Sequence, residues 1–306
     1  MKVSTIIIIV FFLVALLGSI AGTSYYYFQS VEVMEEQVFQ HLESVAQSRA
    51  AHIETFLMGQ KNKILIAATH KELSNDELKE IVNLNEDYTE MIILDSNGII
   101  VSSSEESIIG IDKSNDFYFI EGQKGLNFKE MYVSDSLNEL AFAIFTPQGE
   151  DNVLVVRIDT SVLNELLLDK TGIGETGETY LINEESYAIT PLLFVEDAPL
   201  KLKVDSINSR ECFEHKGNLE GRHDIKLFLD YVGKQVIGTH VYIPEMKWCL
   251  LAEINEEEML GKQRALFRGV GLTIIIFTVI IITLIGFFVG KFIDKRVVLK
   301  KGKKKL

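Results

Sequence analysis

The stretch TGIGETGETYLIN, residues 171–183, decides how the rest of the chain is read. It contains G-x-G-x-x-G at Gly172, Gly174 and Gly177. That pattern cradles a pyrophosphate when it follows a strand and opens a helix. Here the order is reversed: a helix-like run, Ser161 to Asp169, precedes it, and a strand-like run, Thr179 to Asn183, follows. Glu175 and Glu178 would also repel a phosphate. The reading adopted is a glycine-rich hinge, residues 171–178, between two modules, with glycines supplying backbone angles that other residues avoid.

Similar patterns lie on either side of this hinge. FTP (145–147), a turn, VLVVRID (153–159) and a helix match YIP (242–244), a turn, WCLLAEIN (248–255) and a helix. MIILDSNGIIVSS (91–103) and TYLINEESYAIT (179–190) both read as strand, polar turn, strand. This weak internal repeat predicts an α+β chain of two stacked modules, each an antiparallel sheet flanked by helices. Before the hinge, a short helix over 75–85, a polar-aromatic segment SNDFYFIEGQKG (114–125) and a strand from Met131 to Ser134 complete the first unit. After it, strands are expected over 225–232, 235–243 and 247–255. The stretch holding Cys212, His215 and His223 is read as irregular.

Upstream, Val31, Met34, Val38, Leu42, Val45, Arg49, Ile53 and Phe56 recur at three- and four-residue steps. They mark a long amphipathic helix whose apolar stripe only Arg49 interrupts. The stripe can face the chain's own sheet, a second copy in a homodimer, or both; periodicity does not choose.

Two uncharged apolar runs, 3–28 and 269–290, bound this region. Each reaches the ~20 residues that a membrane-spanning helix needs. Ser19-Ile20-Ala21 would fit a signal-peptide cleavage site, but the first run is longer than a signal core and ends in Tyr25, Tyr26, Tyr27 and Phe28, as an interfacial aromatic belt does. An uncleaved anchor is therefore expected. Lys2 and the basic tail, 291–306, with eight Lys and Arg against Asp294, place both termini in the cytoplasm. Of the 30 basic residues, 21 lie between the spans, with 43 of the 44 acids, so the outer segment carries about −22. That charge argues against nucleic acid as a partner. Outside the cytoplasm a Cys212–Cys249 disulfide is permitted and expected, the alternative being two buried thiols.

The chain resembles a double Cache (PAS-like) extracytoplasmic sensor domain. The residues that carry the likeness are ILDSNGIIVSS, GIDKSNDFYF, TGIGETGETYLIN and above all DYVGKQVIGTHVYIPEMKWCLLAEIN (230–255), and it covers roughly residues 25–262. The resemblance implies a sensor of the kind carried by chemoreceptors and histidine kinases. It implies a membrane-distal module in 29–170 that holds the ligand, a proximal module in 179–256, and a juxtamembrane helix over 257–268. Many amino-acid-binding members carry an Arg and a Trp in the segment equivalent to 114–125. This chain has neither there, its single Trp being Trp248, so an amino-acid ligand is not expected. Sixteen residues follow the second span, without the usual output region, so the output is expected from a separate cytoplasmic or membrane signalling partner.

An enzyme needs a nucleophile with its base, paired carboxylates in a pocket, or metal-ligand spacing. The chain has no G-x-S-x-G, H-E-x-x-H or Walker motif. Cys212, His215 and His223 match no standard zinc spacing. No catalytic group, cofactor or metal is expected. Ligand candidates are Asp116, Tyr118, Tyr132 and Ser134 near strand edges, with Arg157 and Asp159 sharing one strand face. Read individually, the tyrosines could equally be core residues with satisfied hydroxyls, and Arg157 and Asp159 a surface ion pair. The chain is expected to be a membrane-anchored small-molecule sensor; the alternatives are a structural or adhesive ectodomain, or a truncated remnant of a longer receptor.

Overall fold

A computed structural model describes residues 3–70, 72–134, 139–216 and 227–302. The chain divides into two units, one of residues 1–37 with 257–306 and one of residues 38–256.

The first unit is built from the two ends. Helix α1 spans Val3–Ala68 and helix α6 spans Glu256–Gly302. Both are long and apolar enough to cross a membrane by length and composition. Within this unit Tyr27 meets Phe267 edge-to-face with ring centres 4.6 Å apart. The basic residues behind the expected orientation include Lys2 and Lys303 to Lys305, which lie outside the described residues.

The second unit contains the sheets. After α2 (Asn75–Leu84), strands β1 (Tyr88–Leu94) and β2 (Ile100–Ser103) form a hairpin. Then come α3 (Phe117–Gly122), β3 (Asn127–Val133), β4 (Leu140–Gln148), β5 (Asn152–Asp159) and α4 (Ser161–Leu168). The antiparallel order is β2-β1-β5-β4-β3. The near-continuous apolar runs in β4 and β5 are explained by burial of both faces. Beyond the glycine-rich connection, β6 (Glu178–Ile182), α5 (Ile207–His215), β7 (Phe228–Leu229), β8 (Gln235–Ile243) and β9 (Trp248–Asn255) give a second antiparallel sheet, β6-β9-β8-β7. Phe142 of β4 and Trp248 of β9 meet edge-to-face at 5.8 Å, both buried.

Three expectations are corrected. The stretch around Cys212 is not irregular: α5 forms there, started by Ser206, whose hydroxyl accepts the Ser209 N–H. Its sequence, INSRECFEH, lacks an apolar stripe because its buried face is Asn208, Ser209, Glu211 and Cys212. Residues 187–190 make only isolated bridges, Ile182 with Ala188 and Tyr187 with Lys203. Ser186 turns the chain at a φ of 67°, and the Ala188 N–H bonds the Leu202 carbonyl instead of extending a ladder. The strand expected over 225–232 is reduced to β7, residues 217–226 lying outside the described residues.

Within the second unit, α1 packs on its own chain through Leu42, Ala46, Arg49, Ala50, Ile53, Leu57, Gln60 and Ile64. Arg49 interrupts the stripe because it works as a cap. Its guanidinium donates to the Leu167 carbonyl (3.3 Å), the Asp169 carbonyl (2.6 Å) and the Thr179 hydroxyl, satisfying the end of α4. The glycines that follow serve geometry: Gly172 and Gly174 have φ of 81° and 77°, and a Cβ on Gly177 would lie 1.8 Å from the Ile173 carbonyl oxygen. Lys170 Nζ donates to the Gly177 carbonyl at 2.6 Å, and the His41 ring donates to the Gly172 carbonyl.

Candidate functional site

The face of the first sheet under α3 is an apolar floor of Ile92, Leu94, Phe145, Val153 and Val155, packed against Tyr118 and Phe119. Toward one end of the strands the floor turns polar. Cross-strand register places Glu90 (β1), Arg157 (β5), Ala143 (β4) and Lys129 (β3) in one row. The next row is Asp159, Ala141 and Tyr132. Two alanines therefore stand between polar groups contributed from both sides, and a few convergent polar side chains are what a small-ligand site uses.

Arg157 forms an ion pair with Glu90, and its Nε donates to the Tyr132 hydroxyl at 2.9 Å. Both charged residues are buried. Burial lowers the guanidinium to about 10, which leaves it charged at neutral pH. Lys129 Nζ stands 4.0 Å from the Tyr132 ring centre and 5.0 Å from that of Tyr118, within cation–π range. A register shift in β3 between Lys129 and Tyr132 puts both on this face, which strict alternation would not.

Of the six expected ligand residues, Tyr118, Tyr132 and Arg157 are brought together. The surface Arg157–Asp159 pair is corrected: Arg157 is buried against Glu90, and the Asp159 carboxylate accepts the Ser161 N–H at 2.9 Å, at the start of α4. Ser134 is buried at the end of β3, its N–H bonded to the Glu139 carbonyl. Asp116 precedes α3 and pairs with Lys113 at 3.2 Å. Lys129 and Glu90 escaped the sequence reading. Glu90 had a signal, an acid in phase with Ile92 and Leu94 in an apolar strand; Lys129 had none, because the bulge shifts its phase.

The matching face of the second sheet is packed by Tyr180, Ile182, Leu192, Leu251 and the Cys212–Cys249 disulfide. Among the described residues no group of three or more His, Cys, Asp or Glu is placed to hold a metal ion. Cys212 is bonded to Cys249, His215 ends α5, and His223 lies outside the described residues.

This fold and face define a class. Residues 30–263 match the family model of the Cache domain, dCache_1, and the chain belongs to that family. No curated protein matches it by sequence. Its fold is shared with the extracellular domain of a putative histidine kinase, rpHK1S-Z16, at 14% identity and a TM-score of 0.58, over 74% of this chain and 97% of that one. It is also shared with the ligand-binding domain of the Pseudomonas fluorescens chemoreceptor CtaA, solved with L-isoleucine, at 14% identity and a TM-score of 0.56, over 77% and 99%. The Pseudomonas aeruginosa PAO1 amino-acid chemoreceptor PctB, solved with L-Arg, matches at 13% and 0.53, over 74% and 92%. The chain is thus a Cache domain that shares its fold with the extracellular and ligand-binding domains of a histidine kinase and of chemoreceptors.

Proposed function

We propose that this protein is a membrane-anchored extracytoplasmic sensor that binds a small polar molecule on the first sheet. The observation that carries the reading is the pair of rows Glu90–Arg157–Ala143–Lys129 and Asp159–Ala141–Tyr132. Buried charge is costly to a fold, and a charged row on an otherwise apolar sheet face is the pattern of a recognition site. Tyr132 and Lys129 offer the ligand a hydroxyl and an ammonium, Arg157 is oriented by Glu90, and Tyr118 closes the face from α3.

In this reading the two sheets are tandem PAS-like modules, distal in 29–170 and proximal in 179–256. Helices α1 and α6 span the membrane at 3–28 and 269–290, with both termini cytoplasmic. Ligand binding shifts the population of states in which these helices end, and a signalling partner reads that shift. The relatives that were solved with amino acids make amino acids the first compounds to try, although segment 114–125 lacks an Arg and a Trp.

The test is a thermal-shift screen of the detergent-solubilised chain against amino acids, organic acids and amines. A stabilising compound whose effect disappears in Lys129→Ala and Tyr132→Phe supports the site. A stabilising compound indifferent to both substitutions sinks it.

A further inference from the structure

The two sheets can be superposed in register. In the first, Leu94 faces Val153, and four residues earlier Glu90 faces Arg157. In the second, Ile182 faces Cys249, and four residues earlier Glu178 faces Glu253. Asp95 and Asn183, each following its strand, accept turn N–H groups from Ile99 and Tyr187 respectively, which fixes the correspondence. One position therefore carries an acid and a base in the first sheet and two acids in the second.

Glu178 and Glu253 are 7% and 1% exposed. Glu178 accepts from the Tyr231 hydroxyl at 2.6 Å and the Leu193 N–H at 2.9 Å. Glu253 accepts from Asn208 Nδ2 at 3.0 Å and is 3.1 Å from the Tyr180 hydroxyl. Among the described residues neither carboxylate has a basic side chain within ion-pair distance. Residues directly opposed on an antiparallel pair hold their Cβ atoms about 5 Å apart. Two carboxylates so placed in a desolvated interior do not both ionise without cost.

The surroundings decide which one keeps a proton. Burial raises Glu178 overall, against the Tyr231 hydroxyl, the Leu193 N–H and Lys170, which favour its charged form. Glu253 is enclosed. Burial, then the negative charges of Glu178 and Asp230, raise it, while Asn208 and Tyr180 oppose them; the balance is about 8. From β6 it is faced by Glu178 and Tyr180, and from beyond β7 by Asp230 and Tyr231. From β8, His240 Nδ1 meets the Asn208 amide oxygen at 2.8 Å, and Asn208 passes the contact to Glu253. From α5, Glu211 is the buried acid.

We propose that Glu178 and Glu253 share one proton at neutral pH, and that its loss is a pH-sensitive switch in the second sheet. The switch acts on β9, whose last residue, Asn255, leads directly into α6. It is independent of the ligand reading for the first sheet. The direction of the effect is fixed by linkage. The folded chain holds a proton that the unfolded chain has already released between the ordinary glutamate value of 4.5 and about 8. Stability therefore falls as pH rises through that window.

The test uses the full chain in lipid nanodiscs. Infrared difference spectra between pH 6 and pH 9 should show a protonated-carboxyl band lost with a midpoint near pH 8. The band should vanish in Glu253→Gln, and the fall in melting temperature between these pH values should shrink by at least half. Glu178→Gln removes the opposing charge and should lower the Glu253 midpoint by about one pH unit; this variant serves should Glu253→Gln not fold. Absence of the band at pH 6 in the unsubstituted chain, its persistence in Glu253→Gln, or an unmoved midpoint in Glu178→Gln overturns the proposal.

Discussion

Glu90 and Arg157 face each other directly across β1 and β5 and form a buried ion pair at the edge of the candidate ligand face. Removing one member strands the other charge in a desolvated site. Arg157→Met should destabilise the chain by about 3–5 kcal/mol. The double substitution Glu90→Leu with Arg157→Met should recover most of that loss, since well-packed apolar residues often replace a buried ion pair without penalty. Chemical denaturation of the single and double variants measures the difference. A double variant as unstable as Arg157→Met would mean that the pair is not the source of the cost.

Ligand affinity should depend on the first sheet. For whichever compound the thermal screen identifies, Lys129→Ala and Tyr132→Phe should weaken binding ten- to a hundred-fold, about 1.5–3 kcal/mol for a charged hydrogen bond. Asn183→Ala, in the second sheet, should leave affinity within about threefold, because sites without shared partners rarely couple strongly. Calorimetric titration checks both; loss of binding in Asn183→Ala with both first-sheet variants silent would place the site in the wrong sheet. Asp159→Ala tests something else. It removes the bond from the Ser161 N–H and should cost about 1 kcal/mol of stability, as loss of one hydrogen bond does.

The contact between Phe142 and Trp248 ties β4 of the first sheet to β9 of the second. Trp248 is fully buried, so Trp248→Ala should cost about 3–5 kcal/mol. A double-mutant cycle with Phe142→Leu and Trp248→Leu should show a coupling of about 0.5–1.5 kcal/mol for the edge-to-face pair. Additive effects would reduce Trp248 to a filler of its own sheet.

The disulfide joins α5 to β9 across a sequence separation of 37 residues. In the chain-entropy account a loop of this size is worth about 3–4 kcal/mol. Cys212→Ser with Cys249→Ser should lower the melting temperature accordingly, and mass analysis of alkylated, unreduced protein should find no free thiol. Two alkyl groups on folded, aerobically purified chain would contradict the bond.

The sequence alone determined the alternation of elements, because their signals are local. Apolar runs of spanning length, the three-to-four-residue stripe after Ser30, polar turns such as Asp95-Ser96-Asn97-Gly98 and the strand pairs around Pro147 and Pro244 need no distant contact to be read. It also marked six ligand candidates, Asp116, Tyr118, Tyr132, Ser134, Arg157 and Asp159, of which the fold brings Tyr118, Tyr132 and Arg157 together. What tertiary structure decided was who meets whom. Arg157 finds Glu90 from 67 residues away, Lys129 reaches the candidate face through a bulge, and Arg49 caps a helix that ends 119 residues later at Leu168. Helix α5 hides its buried polar face in an irregular-looking sequence, because Asn208 is satisfied only by Glu253, Thr239 and His240 on other elements. Cross-strand register and burial set Glu178 and Glu253, two ordinary acids in the sequence, directly opposite each other in the interior.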